Sequence, residues 1–108
     1  MTININYQNM PMSESLNGIV IKKLEKLSEK YMWLIRSDVL FKIENHNEQI
    51  ERQCSITMSA PGPTFFAKAV EDNFEKSAKV ALKRIERQLK KRKQDFQNKH
   101  YEKHSGTH

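Results

Sequence analysis

Lysine and arginine side chains are concentrated on one segment near the C-terminus, residues 72–99, which contains no proline and no glycine. A helix advances by about 100° per residue. On such a helix one surface carries the cations Lys76, Lys79, Lys83, Arg84, Arg87, Lys90 and Lys91. Only Glu86 interrupts them. Like charges four residues apart repel each other, so this pattern favours an anionic partner, although a basic helix is also often a solvated surface.

A second set of cations follows at helical spacing near the N-terminus: Lys22, Lys23, Lys26 and Lys30. Two basic stripes on helices predicted to be neighbours are rarer than one, and they favour a nucleic acid. An anionic membrane surface fits less well, because neither helix keeps an apolar face free for insertion. The residues alone do not distinguish DNA from RNA. No helix-turn-helix or zinc finger is present, however, and RNA-binding proteins more often read shape through a layer of sheet or helix.

Residues that could support catalysis or metal binding are sparse. The chain has no glycine-rich phosphate loop and no nucleophile elbow. Cys54 lies in an apolar alternation typical of core packing, and the acids Glu44, Glu48 and Glu51 surround a hairpin loop, where they solvate the surface. His100, His104 and His108 have a spacing that binds metal on a helix, but Gly106 and the polar tail disfavour a helix there. We therefore expect no enzyme activity, no cofactor, no metal and no small-molecule substrate.

The composition indicates one small domain. The chain has 108 residues and a formal net charge of +6. Residues 76–103 carry eleven Lys and Arg side chains and three acidic side chains, whereas the rest of the chain carries eight Lys and Arg and ten acidic side chains. A local excess of this kind points to phosphate-bearing partners. The single cysteine excludes an internal disulfide, no segment approaches a membrane span, and MTININYQNM is not a secretory signal. A cytoplasmic location is the simplest interpretation.

The apolar periodicity predicts six elements. Short alternating segments predict strands over 3–7, 38–45, 52–59 and 64–71. A first helix capped by Ser13 or Ser15 is expected to end near Tyr31, and a second, capped by Asp72 with Glu75 in a capping box, near Lys99. The buried stripe of the second helix is predicted to contain Phe74, Ala78, Ala81, Leu82, Ile85, Leu89 and Phe96.

The order β-α-β-β-β-α predicts an α+β fold. Short hairpin loops make the last three strands antiparallel, and the crossover through the first helix allows the first strand to lie parallel beside the second. The prediction is a four-stranded mixed sheet with both helices packed on one face and the two basic stripes adjacent on the outer side. Residues 1–97 form the single domain, and 98–108 a flexible polar tail.

Two helix motifs of this chain are similar to motifs of one known family. Residues 13–27, with Ser13-Glu14-Ser15-Leu16, Val20, Lys23 and Lys26-Leu27, are similar to T-E-A-L-x-x-x-V-x-x-K-x-x-K-L. Residues 84–93, RIERQLKKRK, resemble K-L-x-R-Q-L-x-K-x-K. Both motifs occur in the ribosome hibernation-promoting factor or ribosome-associated translation inhibitor family, in its short form, the sigma-54 modulation protein type. The resemblance covers roughly residues 1–96. The helix is more basic than is usual in the family, which often has Asp where Lys79 and Lys83 stand.

The resemblance implies a protein that stops translation on idle ribosomes under stress by occupying the messenger and transfer RNA channel of the small ribosomal subunit. It implies 16S-type rRNA as the partner and a monomer off the ribosome. The residues carried over as rRNA contacts are Lys23, Lys26, Arg84, Arg87, Lys91 and Lys93. With the remaining stripe cations, the predicted RNA-binding set also includes Lys22, Lys30, Lys79, Lys83 and Lys90. The alternatives are a general double-stranded RNA-binding module and, more remotely, a small enzyme.

Overall fold

The computed structural model describes the backbone of residues 1–105 and the side chains of residues 1–95. The elements follow one another as β1 (Thr2–Gln8), α1 (Glu14–Lys30), β2 (Arg36–His46), β3 (Gln49–Ser59), β4 (Thr64–Glu71) and α2 (Phe74–Ser105). The four strands form one sheet in the order β1-β2-β3-β4. β1 pairs parallel with β2, and the other neighbours are antiparallel. The predicted α+β fold and its mixed sheet are confirmed.

Helix α1 begins where a serine side chain can replace a missing backbone partner. Ser13 is the N-cap, and its hydroxyl accepts a hydrogen bond from the Leu16 amide at 3.3 Å. An N-cap side chain of this kind satisfies one of the helix's unpaired first-turn amides. The buried residues of α1 are Leu16, Val20, Leu24 and Leu27, so the predicted apolar stripe faces the core.

The N-cap of α2 lies one residue later than predicted. The Asn73 side chain accepts a hydrogen bond from the Lys76 amide at 2.9 Å, so Asn73 caps the helix and the prediction of Asp72 is wrong. The physical reason is a tertiary contact of Ser77, which is fully buried. Its hydroxyl accepts from the Glu71 amide at 3.0 Å and lies 2.6 Å from the Arg52 carbonyl. These bonds hold the first turn of α2 against β3 and the end of β4.

The hairpin between β2 and β3 is tighter than predicted. His46 pairs with Gln49, which leaves only Asn47 and Glu48 in the turn. Both have positive φ, 48° and 68°, as a type I′ turn requires. This turn matches the twist of the strands it joins, so pairing extends into residues that the sequence assigned to the loop.

The core lies between the sheet and the two helices. Its side chains from the sheet include Val39, Phe41, Ile56 and Met58, and its members on α2 are Ala78, Ala81, Leu82, Ile85 and Leu89. Phe74 is partly buried against this core. Phe66, on the opposite face of β4, is 55% exposed. Both helices therefore cover one face of the sheet, as predicted, and the other face is open.

The backbone of α2 is helical to Ser105, beyond the predicted end near Lys99. No proline or glycine occurs between Phe74 and Ser105, so nothing in the local sequence ends the helix earlier. The backbone of residues 98–105 is thus helical where the sequence disfavoured a helix, so that expectation is wrong for these residues; the flexibility of 98–108 stays a prediction. The predicted burial of Phe96 and the side chains of His100, His104 and His108 lie outside the described residues.

Candidate nucleic-acid interface

Lys23 of α1 faces α2. The Lys23 ammonium lies 3.2 Å from the Glu86 carboxylate, and the two side chains are 39% and 30% exposed. Partly exposed ion pairs contribute little stability, but this one joins the two helices. Glu86, the acid that interrupts the basic surface of α2, is therefore neutralised by a lysine of α1.

A groove runs between the two helices. It is lined by three apolar side chains, three lysines and one acid: Ile19, Val80, Leu82, Lys23, Lys79, Lys83 and Glu86. This is the place where the two predicted basic stripes meet. The structure thus brings together cations that lie more than fifty residues apart in the chain. This agrees with the prediction that the two helices are neighbours.

The outward surface of α2 carries the free cations. Lys83, Arg87, Lys90 and Lys91 are exposed. Within the described residues none of these four has a carboxylate at ion-pair distance. On α1, Lys22, Lys26 and Lys30 are likewise exposed and unpaired within that part of the chain. An unpaired ammonium or guanidinium in water can exchange its counterion for a phosphate at little cost.

Lys79 differs from its neighbours. Its ammonium lies 3.1 Å from the Glu75 carboxylate one turn earlier, and Lys76 is similarly placed 3.6 Å from Asp72. A phosphate at Lys79 would have to compete with Glu75. Glu75 therefore acts as an intrahelical partner, and not as the second half of a capping box with Asp72.

Arg84 points away from the outward surface, toward the edge of the sheet. Its guanidinium donates a hydrogen bond to the Lys68 carbonyl at 2.6 Å. One turn later, the side-chain amide of Gln88 donates to the Phe66 carbonyl at 2.6 Å. β4 is an edge strand, and the outward carbonyls of an edge strand have no strand partner. The two side chains supply that partner. Sequence reasoning missed this contact, although a polar pair four residues apart beside an edge strand is a possible signal.

This contact leads to a stability prediction. We expect Arg84→Ala to lower the free energy of unfolding by about 1 kcal/mol, the usual net contribution of one hydrogen bond. Arg87→Ala is the matched control, because Arg87 is exposed on the same helix without such a contact, and it should change stability by less than about 0.5 kcal/mol. Urea denaturation followed by circular dichroism measures both. Equal stability of the two variants would contradict a structural role for Arg84.

Lys93 is exposed, but its ammonium also lies near an aromatic ring of the core. Its ammonium is 5.9 Å from the centroid of the Tyr31 ring, and the Lys30 ammonium is 5.5 Å from the same ring. Both distances are within the range of a cation–π interaction. The two helices are therefore joined at this end by two lysines that share one buried aromatic ring, and both keep their charge near the surface.

The open face of the sheet has a different electrostatic character. Arg36 lies 2.9 Å from Asp38, and its hydrogen bond lowers the pKa of that carboxyl. Lys42 pairs with Glu44. Hydrogen bonds from Lys42, and then from His46, lower the pKa of Glu44 to about 2. Arg36 and Lys42 on this face are thus paired with acids of the same strand, whereas Lys68 of β4 is exposed there without an acid partner among the described residues. Most of the surplus positive charge therefore belongs to the helical layer.

Glu44, His46 and Glu51 place one possible metal-binding atom each within 4.8 Å of one another. The hydrogen bonds of these groups account for the arrangement. The side-chain amide of Gln53 donates a hydrogen bond to the Glu44 carboxylate at 2.9 Å, and the His46 ring lies 2.9 Å from the same carboxylate. With the Lys42 ammonium these groups form a polar network at the end of the hairpin, where the sequence predicted solvating charge.

Cys54 is fully buried on β3, as predicted. Burial raises the pKa of its thiol to about 12, and the thiolate is the nucleophilic form of cysteine. The Cys54 side chain is therefore part of the core and is protonated at neutral pH.

Among the residues that the structure describes, no helix is long and apolar enough to cross a membrane.

Comparison with known proteins gives a consistent answer. The sequence profile of a family described as sigma 54 modulation protein / S30EA ribosomal protein matches residues 3–97. A ribosome hibernation promoting factor of Pseudomonas putida is 24% identical over 98 residues, which are 91% of this chain and 92% of that protein.

Two solved structures share the fold. A ribosomal subunit interface protein from Coxiella burnetii superposes with a TM-score of 0.76 at 24% identity, over 86% of this chain and 98% of that one. The N-terminal domain of Protein Y from Thermus thermophilus gives a TM-score of 0.71 at 18% identity, over 84% and 98%. At these identities the structural likeness supports the arrangement of strands and helices.

Proposed function

The chain belongs to the sigma 54 modulation protein / S30EA ribosomal protein family, and from that premise we propose that it is a ribosome-binding protein that inhibits translation without catalysing a reaction. Membership in the family confirms the resemblance seen in the two helix motifs. The partner we propose is the small ribosomal subunit, bound through its 16S-type rRNA in the cytoplasm.

The observation that carries the proposal is the one-sided distribution of unpaired cations. The helical layer presents Lys22, Lys26, Lys83, Arg87, Lys90 and Lys91 outward without acid partners in the described part of the chain. On the open sheet face, by contrast, Arg36 and Lys42 are neutralised by Asp38 and Glu44, which leaves Lys68 as an exposed cation there. An rRNA surface approaching the helices meets a field that favours its phosphates, and an approach to the sheet gains little.

The mechanism we propose is steric exclusion. The protein docks its helical layer in the messenger and transfer RNA channel, where its cations replace the counterions of rRNA phosphates. The open sheet face then occupies space that the messenger and transfer RNA would fill. Within this proposal Arg87, Lys90 and Lys91 of α2 and Lys22 and Lys26 of α1 are the main contacts. Arg84 and Lys79 contribute less, because each already has an intramolecular polar partner.

Sedimentation tests the partner and the mechanism together. We expect the protein to co-migrate with small subunits on a sucrose gradient, and its affinity to fall at least about a thousandfold between roughly 50 and 200 mM salt if six to ten phosphates are contacted. An unrelated RNA duplex added in excess is the control. A flat salt dependence would overturn the phosphate mechanism, and release by the duplex would favour a general double-stranded RNA-binding module.

A further inference from the structure

A small pocket lies at one end of the helical layer, where α2 passes the end of the core. It has a volume of about 250 Å³ and is lined by Trp33, Ala60, Pro61, Pro63, Arg92 and Lys93. Three separate parts of the chain form it: the connection after α1, the turn between β3 and β4, and α2. None of the described core residues fills it.

The floor of the pocket is an aromatic ring in a fixed position. Trp33 is partly buried. Its ring packs edge-on against Tyr31, with centroids 5.7 Å apart, and at a tilt against Phe65 at 5.9 Å. Such aromatic contacts fix ring orientation. The indole is therefore held by two aromatic rings of the core and also lines the pocket.

The wall of the pocket is a rigid turn. The Ala60 amide donates to the Pro63 carbonyl at 3.2 Å, which closes the turn. Pro61 and Pro63 have restricted φ angles, and Gly62 between them takes a φ of 98°, which other residues rarely adopt. An apolar wall of this kind is formed before any ligand arrives, so little ordering entropy is lost on binding.

The remaining side of the pocket is cationic, at positions of α2 where the helical periodicity predicts apolar residues. Arg92 and Lys93 follow Leu89 by three and four residues, the positions at which a buried helical stripe continues. Leu89 is fully buried, whereas Arg92 and Lys93 are exposed. Two charges where the pattern calls for apolar residues are a local inconsistency of the kind found at functional sites.

We infer that this pocket binds one unpaired nucleobase of an RNA strand, stacked on Trp33, with the flanking phosphates at Arg92 and Lys93. An aromatic ring, an apolar wall and adjacent cations are the combination by which proteins hold single-stranded nucleic acid. The volume is below the roughly 300–1,000 Å³ of pockets for drug-sized ligands, so it suits a single base. The inference rests on the proposed function, because Arg92 and Lys93 belong to the same basic helix.

Trp33 provides a direct probe, because it is the only tryptophan of the chain. We expect a single-stranded decaadenylate to quench its fluorescence on binding to the full-length protein. A backbone of the same length without bases carries the same phosphates and serves as the matched ligand. It should bind through the cations but leave the fluorescence nearly unchanged. Equal quenching by the two ligands would overturn the stacking inference.

Variants of the pocket residues distinguish binding of the nucleobase from binding of the phosphates. Trp33→Leu should weaken decaadenylate binding about tenfold, within the range that one base–aromatic stack contributes, and should not affect the ligand without bases. Trp33→Phe keeps a ring and should recover part of the loss, which distinguishes stacking from a folding defect. Arg92→Ala should weaken both ligands, and Lys68→Ala, an exposed lysine of β4, should weaken neither. Unchanged decaadenylate affinity of a folded Trp33→Leu variant would contradict the inference.

Sedimentation with small subunits keeps this test independent of the proposed function. Wild-type protein that binds subunits but shows no base-dependent quenching with decaadenylate would overturn the pocket and leave the ribosomal partner standing. Base-dependent quenching by a protein that does not bind subunits would support the pocket and overturn the ribosomal partner.

Discussion

Replacing Arg87, Lys90 and Lys91 of α2 by glutamate is expected to abolish binding to the small ribosomal subunit while the protein stays folded. All three side chains are exposed, and surface substitutions of this kind usually change stability by less than about 0.5 kcal/mol each. Each change removes a phosphate partner and places a like charge beside rRNA. Because such juxtapositions cost several kcal/mol in an interface, affinity should fall at least about a thousandfold.

The matched control for this variant keeps the charge and changes the residues. Arg87→Lys, Lys90→Arg and Lys91→Arg together should retain most of the binding, because counterion release depends on charge. Arg84 is left unchanged in both variants, since its loss would also remove the bond to the Lys68 carbonyl. Thermal melts and subunit sedimentation measure the outcome. Inhibition of a cell-free translation reaction by the folded triple-glutamate variant would refute the helical face as the binding surface.

Ile85→Asp is expected to unfold the protein. Ile85 has no exposed surface and lies in the centre of the stripe by which α2 covers the sheet. The change deletes the apolar packing and leaves a carboxylate without a partner in the core, two effects that together cost more than about 4 kcal/mol. A domain of this size lies toward the low end of the roughly 5–15 kcal/mol by which native proteins are stable, so this loss removes most of the margin. Circular dichroism at 25 °C should show largely unfolded chain.

Ile85→Val is the control for that prediction. It removes one methylene from the same position and keeps the apolar character, so we expect a loss of about 0.5–1.5 kcal/mol and a normal cooperative transition. A cooperative melt of Ile85→Asp within a few degrees of wild type would mean that the stripe does not face the core.

The sequence by itself determined the order of the elements and which side of each faces inward. The alternation around Val39 and Ile56 and the helical spacing of Leu82, Ile85 and Leu89 were sufficient, because residues on one face of a strand or helix recur with a fixed period. The same periodicity put the cations of α2 on the outside. Short loops and the handedness of the crossover then left one arrangement of the sheet.

Only the tertiary structure decided what the residues at the borders of these faces contact. Arg84 reaches an edge-strand carbonyl, Lys79 pairs with Glu75, and Lys93 lies over Tyr31. The pattern of the chain assigns all three equally to a basic surface. Trp33 and Arg92 likewise become neighbours only because α2 continues past the end of the core beside the β3–β4 turn. Periodicity fixes the direction in which a side chain points along its own element, whereas its partners depend on the distance and angle between elements, which long-range packing sets.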